Sequence, residues 1–108
     1  MADVPCIIAE VTFLSAEAGG RRSLPMPPWG SYMPHAVVNE EGEYLGIRFL
    51  DGPVPQVGVA GEYRLALGYY PTVDYTALQP GICFTLREGA RVVATGRVLR
   101  WGQVTPRG

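Results

Sequence analysis

The chain has one histidine, His35, set between Pro34 and Ala36. An imidazole does acid–base work when a nucleophile and an orienting group stand with it. No serine or cysteine near His35 lies in a motif of that kind, so the residue reads as a surface contact or a structural side chain. Cys6 and Cys83 are far apart and match no metal-ligand spacing. Both lie in apolar runs and read as small, buried, reduced hydrophobes. The acidic run Asn39, Glu40, Glu41 and Glu43 does not follow a calcium-loop spacing and reads as a solvated turn. Gly58-Val59-Ala60-Gly61 is not followed by the Lys-Ser/Thr of a phosphate loop, and the chain has no lysine at all. The run from Gly89 to Gly96 joins two β patterns rather than a strand and a helix, which removes the context of a dinucleotide fingerprint. The expectation is a chain that is not an enzyme and holds no cofactor, nucleotide or metal.

A polar and aromatic group remains: Arg21 and Arg22, then Trp29, Tyr32 and His35. Guanidinium groups suit phosphates and planar stacking, and aromatics beside them serve RNA bases or protein hot spots. The other reading is structural. Trp29 and Tyr32 would fold their loop back onto the core and leave the arginines in solvent.

The elements that must position this group are almost all β. Ile7, Ala9, Val11 and Phe13 alternate with Ile8, Glu10 and Thr12, the pattern of a half-buried strand. A turn follows at 15–20, and then a segment from Arg21 to Pro34 with four prolines, Pro25, Pro27, Pro28 and Pro34. Proline lacks the N–H and fixes φ, so this segment is a long, stiffened loop, a kind that is often functional. Short strands are expected at 36–38 and 46–50, and an alternating strand at 62–70 with Tyr63, Leu65, Leu67 and Tyr69 on one face. Ile82, Phe84 and Leu86 mark the next strand, and 92–100 the last, with Trp101 at its end. Between these two, Glu88-Gly89-Ala90 reads as a tight hairpin loop, with Gly89 supplying a positive φ if one is needed. Six short strands with Gly/Pro turns and no amphipathic helix predict an all-β, six-stranded antiparallel barrel or sandwich; closure would remove exposed strand edges.

Composition agrees. The 108 residues suit one domain, with a core from about 6 to 101. Apolar residues make up 47% and charged residues 18%, which argues against disorder. Nine basic residues, all arginine, against ten acidic ones give a net charge of −1, so any attraction to nucleic acid must come from a local patch. No apolar stretch reaches the length of a membrane span. The start, Met1 to Pro5, lacks the basic and apolar regions of a signal peptide, and a cytoplasmic location is expected.

Glu10-Val11-Thr12-Phe13-Leu14-Ser15, followed by Glu17, Gly19-Gly20-Arg21, Tyr32 and Pro34, resembles the opening of the C-terminal barrel, the third domain, of translation elongation factor Tu. Gly61-Glu62 is similar to that family's Pro-Gly-Asp before its long strand. Phe84, Leu86-Arg87-Glu88-Gly89-Ala90-Arg91 and Gly96 resemble its terminal Arg-Glu-Gly-Gly-Arg hairpin. The resemblance runs from about Cys6 to Arg100 and implies a six-stranded antiparallel β-barrel. It also implies a translation-related binding module that touches tRNA or a translation-factor protein and has no GTPase activity, since nucleotide binding belongs to a separate domain of that factor. Arg21, Arg22, His35, Glu88 and Gly89 are the positions the resemblance brings to one surface. Departures are His35 where the family has glutamine, Ala90 in place of the second hairpin glycine, and the lack of lysine. The alternative is a protein-interaction module that reuses the barrel without RNA.

Overall fold

A computed structural model describes residues 4–29 and 32–104. The start of the chain at 1–3 and two positions of the proline loop, 30 and 31, lie outside the described residues. The strands are β1 (Val4–Phe13), β2 (His35–Val37), β3 (Leu45–Asp51), β4 (Gly61–Leu67), β5 (Cys83–Glu88) and β6 (Arg91–Val104). They form a closed antiparallel barrel in the order β1-β4-β3-β2-β5-β6, with β6 returning to β1. There is no helix among the described residues, and so none long and apolar enough to cross a membrane.

The alternation in sequence becomes the inside and outside of this cylinder. Ile7, Ala9, Val11 and Phe13 are buried on β1, and Tyr63, Leu65 and Leu67 on β4. Period-two side chains must face opposite sides of a strand, so each strand gives one row to the core. Two bulges break the period on β6. The pairing shifts between Leu86 and Arg87 place Val93 and Ala94 both in the core, and a second shift lies opposite Ile8 and Ala9.

Several expected boundaries move. The strand expected at 36–38 is seated one residue earlier, because His35 pairs with both Gly46 and Arg87. The strand expected at 62–70 ends at Leu67: turns closed by Tyr70 N–H to Leu67 O (3.2 Å) and Val73 N–H to Tyr69 O (3.0 Å) take over. Tyr69 therefore leaves the core face and is half exposed, with its ring lying over Gly46. A β-carbon at Gly46 would stand 2.6 Å from that ring, so a larger residue there would have to displace Tyr69. Ile82 precedes β5 and is exposed, and β6 runs through Trp101 to Val104. Both cysteines are free; Cys6 is buried as expected, but Cys83 is exposed. It pairs with Arg97 on the outer face of the sheet, which an apolar neighbourhood in sequence does not reveal.

The barrel has two ends. At one lie the loop 14–34, the β3–β4 connection and the β5–β6 hairpin. At the other lie the acidic turn 38–44, the loop 68–82 and the two ends of the β1–β6 ribbon.

Candidate functional site

The proline loop and the last hairpin meet at the first end. The hairpin turns through Gly89 and Ala90 between paired Glu88 and Arg91. Gly89 has φ +62° and occupies the first central position, where a two-residue hairpin of the II′ kind takes glycine. Asn39 is the only non-glycine with positive φ among the described residues, so Ala90 is unstrained. The turn needs glycine once, at Gly89.

This turn presents Glu88 to the loop. Arg21 Nη1 donates to Glu88 Oε2 at 2.6 Å, and the Tyr32 hydroxyl donates to the same oxygen at 2.8 Å. The guanidinium lies 5.2 Å from the Tyr32 ring centre, and Arg21 Nε donates to Ser23 O at 2.7 Å. Burial, and then the bond to Glu88, push the Tyr32 phenol well above its ordinary range. The Glu88 bond likewise raises Arg21, so both donors stay protonated. Arg21 and Glu88 are each 29% exposed, so water screens the pair only in part.

Trp29 anchors the loop from below. Its ring is 5.2 Å from Phe49 and 5.9 Å, edge-on, from Tyr63, and Tyr32 is 5.5 Å from Phe49. Each such aromatic pair contributes about 0.5–1.5 kcal/mol beyond area burial. Trp29 and Tyr32 thus do fold the loop onto the core, the structural role weighed above. They also line the space that results.

That space is a groove of about 550 Å³. Arg21, Trp29, Tyr32, His35, Glu88 and Gly89 all line it, six of the seven residues singled out from the sequence. Arg22 does not line it and stands exposed beside it. The groove also includes Arg87, Met26 and Met33, which sequence reasoning did not select. Arg87 Nη1 reaches the Tyr44 hydroxyl at 3.4 Å, its guanidinium is 5.6 Å from that ring, and the His35 ring is also 5.6 Å from it. The signal for Arg87 was its place beside Glu88 in the hairpin motif; the two methionines gave none beyond lying between prolines.

The chemistry is that of a grip. Thioethers, prolines and aromatic rings supply apolar area, while Arg87, His35 and the Arg21–Glu88 pair supply charge and hydrogen bonds. No group of three or more potential metal ligands occurs among the described residues. No protein-family model matches the chain, and no curated protein matches it.

Proposed function

We propose that the chain is a non-catalytic binding module, related to translation, that contacts tRNA or a translation-factor protein through this groove and has no GTPase activity. The observation that carries the reading is convergence: Arg21, Tyr32 and Glu88, from distant parts of the chain, close into one hydrogen-bonded group at the mouth of a groove. The link to translation rests on the resemblance to the third domain of elongation factor Tu. A single barrel with few free cations binds RNA weakly and with strong salt dependence. Titration with bulk tRNA at about 50 and about 200 mM salt tests this: the expected result is binding that falls steeply with salt. No binding at the lower salt removes the RNA part.

A specific observation favours the second reading, a protein-interaction module without RNA. Arg21, the most motif-like cation, is already held by Glu88 and Ser23 O. Its charge is compensated before any phosphate arrives, and the groove is rich in methionine and aromatic side chains of the kind common in protein interfaces. Capture of a translation factor from lysate, repeated after nuclease treatment, separates the two. Capture that survives nuclease supports the protein partner, and capture lost with nuclease supports RNA.

A further inference from the structure

The opposite end of the barrel carries a second groove of about 650 Å³, built differently. Its floor is the inner face of the β1–β6 ribbon where that ribbon outruns the barrel. β5 pairing with β6 stops at Arg97, whereas β1 follows β6 out to Val104. Pro5, Trp101 and Gln103 lie on this floor. The wall is the loop 68–82, which is tied down rather than loose. Tyr75 is 2% exposed, its hydroxyl donates to Gly46 O at 2.6 Å and accepts from Tyr69 N–H at 3.0 Å. Trp101 Nε1 donates to Leu78 O at 2.7 Å, and Leu78 is fully buried. The Trp101 ring is therefore fixed in orientation where it lines the groove.

We propose that this groove docks an extended, proline-containing peptide of a partner protein that carries an arginine. Flat rings of Tyr70 and Trp101, with Pro5 and Pro71 beside them, match the ridges of a polyproline-type helix, whose preformed shape lowers the ordering cost. Charge complementarity selects the arginine. Asp74 lines the groove as its one charged side chain, and no basic residue lines it. The Thr76 side chain, and then its N–H, which donates to Asp74 Oδ1 at 2.9 Å, lower the pKa of the carboxyl, so it stays charged. The site lies at the opposite end from the groove of the proposed function and does not depend on it.

Fluorescence polarisation of a labelled peptide, Arg-Ala-Leu-Pro-Pro-Leu-Pro, against the whole chain tests the proposal, with a second peptide in which glutamine replaces the arginine. The first is expected to bind and the second about fivefold more weakly, the range of one partly exposed charge contact. Tyr70→Ala should cost roughly tenfold for both peptides, as loss of an aromatic anchor does. Asp74→Asn keeps the turn-forming oxygen and removes the charge, so it should remove the preference between the two peptides and leave the weaker binding intact. Tyr70 is half exposed and Asp74 lies on the surface, so neither change threatens the fold. Failure of the first peptide to bind overturns the proposal. So does equal binding by the Tyr70→Ala protein, or sedimentation showing that a second copy of the chain occupies this end.

Discussion

The two ends of the barrel are closed by different means. At the hairpin end, a long loop is held by a charged lock, Arg21 and Tyr32 on one carboxylate oxygen of Glu88, with partly exposed side chains. At the other end, the loop 68–82 is held by neutral side chains bonded to backbone carbonyls, Tyr75 to Gly46 and Trp101 to Leu78, and by Leu78 inserted in the core. Buried neutral bonds are costly to break because an orphaned carbonyl cannot recover its water. A half-exposed ion pair is partly recovered by solvent. The second end should therefore be the structural base of the molecule, and the first the end where attachment of the loop responds to salt.

The largest expected effect lies at the base. Leu78→Ala opens a cavity at the barrel's mouth and should destabilise the protein by about 2–5 kcal/mol, measured by urea unfolding. Tyr75→Phe keeps the ring and removes the hydroxyl, leaving Tyr69 N–H without its partner and Gly46 O with only the Gly68 N–H at 3.0 Å. Its expected cost is about 1–3 kcal/mol. If both substitutions instead cost less than the lock variants below, the assignment of base and responsive end is reversed.

The lock should give a smaller effect that depends on conditions. Glu88→Gln retains an oxygen for the Tyr32 hydroxyl but removes the charge facing Arg21. We expect a loss of about 0.5–1.5 kcal/mol at low salt, shrinking in 1 M salt as screening weakens the wild-type pair. Tyr32 also sets a pH response. Its native phenol titrates above its unfolded value of about 10, so the native state holds this proton more tightly. The contribution is whole below pH 10 and is lost as the pH rises through the native value. Tyr63 and Tyr75, raised by burial, have the same sign, as does the Cys6 thiol from about pH 8.5 upward. Comparing thermal midpoints of the wild type and Tyr32→Phe between pH 8 and 11 isolates the share of Tyr32. A wild type no steeper than Tyr32→Phe in that range contradicts the lock.

The same contrast explains how much was legible in sequence. Strand count followed from period-two alternation and turn residues, which are local; these left barrel and sandwich open, and closure was implied by the resemblance. The hairpin-end group was legible because its members are chemically conspicuous and two of them sit in recognisable motifs. The resemblance placed Arg21 and Glu88 on one surface, but their direct contact across 67 positions was not legible from it or from spacing. The loop 68–82 was not legible. Tyr69 continues the alternation of β4, and only the turn after Leu67 shows that it has left the strand. Tyr75 and Leu78 occur in a stretch with no period, so nothing local marks them as core. Their burial is set by a barrel mouth that exists only after all strands have closed. Cys83 misled for the related reason that apolar neighbours do not say which face of a strand a residue occupies.

The smallest expected effect calibrates the others. Arg100 Nη2 lies 2.9 Å from Glu62 Oε1, nearly as short as the lock contact, but the two side chains are 61% and 54% exposed. Both sit on the outer wall between the two ends, and neither holds a loop. Solvent replaces such a bond almost fully, so Arg100→Ala should change stability by only about 0–1 kcal/mol, with little change in its salt dependence. Urea midpoints for this variant and for Glu88→Gln, measured side by side, ask whether distance or burial decides the strength of a pair. If the Arg100 variant loses as much as the Glu88 variant, the lock has no special standing and the hairpin end is merely another surface. If it loses little, the partial burial created by the folded-back Trp29 loop is what turns an ordinary ion pair into a latch.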